Sequence, residues 1–410
     1  MTAVTANKAL ASDLAVLGGE PVFPKSLHVG RPNVGDPDAF VARVRDILDT
    51  RWLTNNGPYV LEFEREISSL TATAHCIAMA NGTVALEIAS RAMGLRGEVI
   101  LPAFTFVATA HALMWQGIRP VFCDIHRGTH HLDAAAVEAL VTHQTSGILG
   151  VHLWGRGCDV DALEIIARRH GIPLLFDACH ALGATLGGRR IGGFGACEVL
   201  SFHATKFINT LEGGAIVTND DELAEKVRFM RNFGFSGEDS VAHLGTNGKM
   251  NEVSAAMGLT LLESWDSLLA ANERSYRAYC REIAPISGLE VLEYPVGENY
   301  NYQYVIVMVD EAILGLGRDE LVAVLRAENL LARRYFYPGC HRMKPYSAMY
   351  QYSGLSLPVT DDVASRVVVM PTGAQLDDEG IARIGAVLRI AAAHAPRIAS
   401  TLRSSPREAR

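Results

Sequence analysis

The sequence predicts an α/β fold: a doubly wound, mostly parallel sheet followed by a smaller C-terminal α/β domain. Three observations predict it. From about residue 60 to 235, short apolar runs alternate with helical segments, the pattern of a parallel sheet covered by helices on both faces. Two of these runs lead directly into residues that carry chemistry, which is where strands of an open α/β sheet deliver their ligand-binding groups. A third passes into a helix through a tight glycine turn.

Taken in order, strands are expected over 76–80, 98–101, 120–123, 147–151, 172–176 and 197–200. Residues 81–83 read as a tight turn and 84–93 as a helix. A long helix over 262–283 leads to a smaller region, with a strand at 302–309, a helix at 319–328, a strand at 367–370 and a helix at 377–393. The division that follows is an arm (1–35), a large domain (36–262), a small domain (263–395) and a frayed, arginine-rich tail (396–410). With 410 residues, 49% of them hydrophobic, the chain can bury cores of that size.

Composition excludes several function classes. A net charge of −8 without a basic run argues against nucleic acid and anionic membranes as partners. No apolar stretch approaches the roughly 20 residues of a membrane span. The N-terminus lacks a signal-peptide pattern, so the expected location is cytoplasmic. Seven cysteines without Cys-x-x-Cys spacing read as reduced thiols, and the His130-His131 pair is a poor metal signal, so no metal is expected. Ile191-Gly192-Gly193-Phe194-Gly195 lacks the spacing of a dinucleotide fingerprint.

The chemistry centres on Lys206. Lysine is used sparingly, at six of 37 basic positions, and this one lies in Ser201-Phe202-His203-Ala204-Thr205-Lys206, just past a strand end. A protein amine reacts with an aldehyde only when neutral, and a half-buried pocket favours that form. Upstream, the 172–176 run leads into Asp177-Ala178-Cys179-His180. A carboxylate there needs a cationic partner, and the protonated ring nitrogen of pyridoxal phosphate is one. Asn81-Gly82-Thr83 opens a helix whose backbone N–H groups, with the Thr83 and Ser201 hydroxyls, suit a phosphate. Phe106 is placed to stack on a ring. Taken singly, each has a plainer account: a turn lysine, a helix-capping aspartate, a common βα turn, a core aromatic.

As a set, the motifs resemble the sugar aminotransferase branch of fold-type I pyridoxal phosphate enzymes, the DegT/DnrJ/EryC1/StrS family. The likeness rests on Asp177-Ala178-Cys179-His180, Ser201-Phe202-His203-Ala204-Thr205-Lys206 and Glu212-Gly213-Gly214. It extends to Trp52-Leu53-Thr54-Asn55-Asn56-Gly57-Pro58, Trp154-Gly155-Arg156 and Gly339-Cys340-His341. It is strongest toward nucleotide-sugar C4-aminotransferases of desosamine-type pathways, with Val29-Gly30-Arg31-Pro32-Asn33 adding to it.

The resemblance implies ping-pong transamination on pyridoxal phosphate, with glutamate as donor and a TDP-4-keto-6-deoxyhexose as acceptor, in amino-sugar synthesis for an antibiotic-type natural product. Lys206 and Asp177 are the implied catalytic residues. Gly82, Thr83 and Ser201 would hold the phosphate, Phe106 the ring face, and His180 would lie by the ring hydroxyl. Asn247 is expected to reach the phosphate of a partner subunit, making a homodimer with shared sites. Lys249, where many relatives carry arginine, would offer charge to the diphosphate, while Tyr335 and His341 would line the sugar end. Amination at C3, another pyridoxal phosphate reaction on a sugar, and a regulatory role are the alternatives. The full lysine–aspartate–serine set argues against the last.

Overall fold

The computed structural model describes residue 8 and residues 10–404. Seven strands form the central sheet: β1 (His75–Met79), β2 (Glu98–Pro102), β3 (Arg119–Cys123), β4 (Thr145–Val151), β5 (Leu174–Asp177), β6 (Cys197–Ser201) and β7 (Gly214–Thr218). Their spatial order is β1-β7-β6-β5-β4-β2-β3, and only β7 runs antiparallel to its neighbours. The other six therefore present their C-terminal ends along one edge. Covered on both faces, they are nearly continuous apolar runs: Val99, Ile100 and Leu101 in β2 are all fully buried.

Helix Gly82–Ala92 follows β1 and begins two residues before its expected start, because the Asn81 side chain accepts the Val84 N–H at 2.8 Å and caps it. The expected long helix over 262–283 is Trp265–Ile283, and a separate helix, Glu252–Leu262, ends just before it.

A second sheet of three antiparallel strands lies in the C-terminal part: β8 (Leu289–Val291), β9 (Val305–Val309) and β10 (Val367–Met370), in that order. β9 starts three residues later than the pattern suggested. Tyr302 takes a left-handed φ of 48°, and Gln303 is committed to side-chain bonds with the loop that carries Lys206. Around this sheet lies a separate core that includes Tyr279, Leu325 and Ile384.

Leu14, Val22, Phe23 and Leu27 of the N-terminal arm belong to that same core. The arm also adds a short strand, Leu27–His28, parallel to Leu330–Leu331. Glu328 fixes it. This fully buried carboxylate bonds the Lys8 ammonium at 2.9 Å, the Ala15 N–H at 2.8 Å and the Val22 N–H at 2.7 Å.

The tail expected to fray from residue 396 does not do so over its described part. Ala395–Ser404 is a helix, with Ala395, Ile398 and Ala399 buried against the second core. Its apolar residues recur at helical spacing, a signal that the arginines around them obscured. Residues 1–7, 9 and 405–410 lie outside the described residues. Among those described, no helix is long and apolar enough to cross a membrane.

The Glu328 cluster yields a prediction. Glu328→Ala leaves a buried ammonium, still bonded to the Asp13 and Glu20 carbonyls, without its counter-charge and takes the shared carboxylate from two N–H groups, and should cost about 3 kcal/mol of stability in denaturant unfolding. A loss below about 1 kcal/mol would show that the arm is held by its apolar contacts alone.

Candidate active site

The strand ends converge on a cavity of about 580 Å³, lined by Asp177, Lys206, Ser201, Gly82 and Thr83 among others. Asp177 is the last residue of β5 and is 6% exposed. Its Oδ2 accepts the Thr109 hydroxyl at 2.8 Å, and its Oδ1 accepts the Cys179 N–H at 3.1 Å. Thr109 Oγ1 lies 3.0 Å from Thr105 Oγ1. Having one proton and giving it to Asp177, Thr109 accepts from Thr105, so the relay runs one way.

Lys206 lies in the turn that follows β6, half-buried. Burial pushes its ammonium pKa below the ordinary 10.5, opposed by Cys179, Asp177 and Tyr335. The turn is held by Gln303, whose Nε2 donates to the Thr205 carbonyl at 2.9 Å and whose Oε1 accepts the Phe207 N–H at 3.0 Å.

At the phosphate turn, Gly82 is closely packed. A Cβ there would stand 3.2 Å from Ser201 Cβ and 3.4 Å from Cys179 Sγ. Gly214 on β7 is still more confined, because its Cβ would meet the Asn81 and Gly82 backbone at about 2.5 Å.

The floor is aromatic. His180, Trp154 and Phe336 lie nearly parallel, with interplanar angles of 14° to 21° and centroids 5.1–6.1 Å apart. Burial, with Lys206 nearby, pushes His180 well below the ordinary imidazole range, so its ring is neutral. His180 Nδ1 is enclosed and has no hydrogen-bond partner. Phe106, by contrast, lines the cavity with 55% of its surface exposed.

Of the residues anticipated from sequence, one chain brings Gly82, Thr83, Phe106, Asp177, His180, Ser201, Lys206 and Tyr335 to the cavity. It does not bring the other three. His341 is buried elsewhere, its Nε2 3.1 Å from Asp361, because Gly339 turns the chain at φ 87° and Cys340 is pinned by its N–H to Ala103. Within its own chain the ring is engaged with Asp361 rather than open to the cavity. Lys249 donates to Asn232 Oδ1 at 2.9 Å and sits 4.6 Å above the Phe233 ring, away from its own cavity. Asn247 is exposed on the same segment, bridged to Asn232 at the sheet's edge.

Three contributors were missed. Thr109 shows only Thr-x-x-x-Thr spacing with Thr105, which does not say that it faces Asp177. Gln303 and Arg31 reach the cavity from the C-terminal part and the arm; Arg31 lies in the Val29-Gly30-Arg31-Pro32-Asn33 motif, which by itself assigns it no role, and no local pattern marks Gln303.

The DegT/DnrJ/EryC1/StrS aminotransferase family matches residues 36–389. The chain belongs to this family. It is 35% identical over 366 residues to the dTDP-4-amino-4,6-dideoxy-D-glucose transaminase of Shigella dysenteriae, covering 89% of this chain and 99% of that one. It is likewise 35% identical to the GDP-perosamine synthase of Caulobacter vibrioides, over 84% and 93% of the two chains. Among solved structures, DesI in the presence of its TDP-sugar product superposes with a TM-score of 0.92 at 44% identity, covering 96% and 100%. PseC of Helicobacter pylori, an aminotransferase involved in the biosynthesis of pseudoaminic acid, gives 0.82 at 26%, over 89% and 99%.

Pyridoxal phosphate is the cofactor of this aminotransferase family, and the cavity fits it. The glycine turn leaves room for a phosphate, Phe106 offers an uncovered ring face, and Asp177 stands without a protein cation bonded to it. The unsatisfied His180 Nδ1 supplies a polar atom for the ring's edge. Thr109 then acts through Asp177. Thr109→Val removes a hydrogen bond to a charged group, worth about 1.5 kcal/mol, and should weaken pyridoxal phosphate binding roughly tenfold. Equilibrium dialysis measures this, and an unchanged affinity would show that the Cys179 amide alone suffices.

Proposed function

We propose that this enzyme transfers the amino group of glutamate to C4 of TDP-4-keto-6-deoxyglucose, giving 2-oxoglutarate and TDP-4-amino-4,6-dideoxyglucose. The observation that carries the reading is that Lys206 and Asp177 stand at one sheet edge within one cavity. The transaminases at 35% identity and DesI at 44% support the acceptor. Glutamate as donor, a cytoplasmic setting and service to a glycosylated natural product complete the proposal.

Bound pyridoxal phosphate supplies an aldehyde carbon that takes up an amine and a ring that holds an electron pair. The rest falls to the chain. Asp177, fixed by Thr109 and the Cys179 amide, keeps a proton on the ring nitrogen. Lys206, biased by burial toward its neutral form, takes the proton from Cα of the donor. In the second half-reaction Lys206 Nζ delivers a proton to C4 of the sugar. Gly82, Thr83 and Ser201 hold the phosphate still, so that this short proton path is kept.

Incubation with TDP-4-keto-6-deoxyglucose and glutamate, with the product identified by mass and NMR, tests the function. The 4-amino sugar is expected, and Lys206→Ala should abolish turnover while leaving the fold intact. Amination of a 3-keto isomer with the 4-keto compound untouched would overturn the position. Full turnover by Lys206→Ala would overturn the site.

The proposed working form is a homodimer in which Asn247 completes the partner's phosphate site. Exposed Trp52, Leu53, Phe233, Phe235 and Leu244 support it. They lie on segments tied together near Asn247: Leu53 O accepts the Glu252 N–H, and Phe233 N–H donates to Thr246 O. So much exposed apolar surface suits a second copy. Mixing Lys206→Ala with Asn247→Ala chains should restore activity, because one site of the heterodimer carries neither change. Verified heterodimers without recovered activity, alongside an impaired Asn247→Ala homodimer, would argue against sharing.

A further inference from the structure

Arg31 is the one guanidinium that lines the cavity, and among the described residues it has no ion-pair partner. The other charged groups there are already committed. Lys206 and Asp177 serve the cofactor, and Glu212 lies 3.5 Å from His203. A cation left unpaired at a cavity wall marks a place for an anion.

The backbone that carries Arg31 is rigidly held. Gly30, at φ 70°, lies so close to the Lys206 turn that a Cβ would come within 2.9 Å of Thr205 Cβ. Two residues on, Asn33 donates to the Phe207 carbonyl and accepts from Asn209, each at 2.9 Å. The same turn is gripped from its other side by Gln303, whose carbonyl accepts the Thr372 hydroxyl at 3.0 Å. Arg31 is thus fixed relative to the chemistry, while its own head group is free to bind.

Arg31 also belongs to a second space. A groove of about 450 Å³ adjoins the cavity at Arg31, Asn33 and Thr372, and Arg31 is its only charged lining residue. Val34, Gly35, Ser267, Leu268 and Ala374 are among the uncharged residues of its wall. A sugar nucleotide is linear, with a neutral base and ribose at one end, two phosphates in the middle and the reacting sugar at the other. The molecule offers the same sequence of environments: an uncharged groove, a fixed guanidinium, then the cavity with Lys206.

Resting on the acceptor proposed above, we infer that Arg31 binds the diphosphate of the nucleotide sugar and that the groove past it holds the nucleoside. The planar guanidinium matches phosphate oxygens two at a time, which a lysine does not. This assigns the diphosphate to a residue of the arm that lines the cavity within its own chain.

The test is calorimetric, on the full-length holoenzyme, with TDP and thymidine as probes. Arg31→Ala should weaken TDP at least tenfold and leave thymidine within twofold of the parent. Ser267→Trp, at an exposed position in the groove wall, should weaken both at least tenfold. The inference is overturned if Arg31→Ala binds TDP as the parent does, or if Ser267→Trp leaves thymidine unaffected. It is also overturned if Arg31→Ala raises the KM for glutamate and spares TDP, which would make Arg31 a donor-carboxylate site. A parent enzyme that binds no TDP would overturn the acceptor reading itself; a parent that binds it, with an indifferent Arg31 variant, overturns this inference alone.

Discussion

A carboxylate with 6% of its surface exposed must find hydrogen bonds or lose several kcal/mol, and at Asp177 one donor is a backbone amide and the other a threonine hydroxyl. The Cys179 amide is two residues along, and Thr109 lies on the helix that follows β2. That helix can reach Asp177 only because β4 separates β2 from β5 in the sheet and all three point the same way. The sheet order is thus tied to one acid. The same edge then sets Ser201 and the Lys206 turn, since β6 pairs directly with β5.

Holding Lys206 in place requires the rest of the molecule. A loop lysine is mobile unless its turn is packed, and here the packing comes from outside the central sheet. Gln303, just before β9, bonds the turn at Thr205 and Phe207, while Asn33 of the arm bonds it at Phe207. The arm is in turn anchored by Glu328 and by Leu14, Val22 and Phe23 in the second core. Stability of that core and the precision of the amine are therefore coupled.

How legible this was depends on the distance over which each signal acts. Asp177, Lys206 and Gly82 could be read because a strand end or glycine turn is written in adjacent residues. The family resemblance added His180 and Tyr335, and the cavity holds both, as it does Phe106. His341 lies off its own chain's cavity, because Gly339 turns the chain there and the ring meets Asp361. Gln303, Thr109 and Arg31 were given no role, since each acts through a contact dozens of residues or more away. The helix Ala395–Ser404 was taken for a frayed end because charge composition outweighed its apolar spacing.

Chemistry and recognition are consequently built from different parts of the chain. The groups that handle protons and phosphate lie at ends of central strands, where small displacements would undo them: Gly214 lacks room for one carbon, and Gly82 is tightly packed. The outer groove is made from the arm, the start of helix Trp265–Ile283 and the loop around Thr372, joined by side-chain bonds rather than by a shared sheet. Contacts made far from the reacting carbon contribute to catalysis only if they are rigidly connected to it. Here the connection is the Lys206 turn itself, which Gly30, Asn33 and Gln303 touch directly. A nucleotide bound in the groove would thus press against the same few residues that hold the amine.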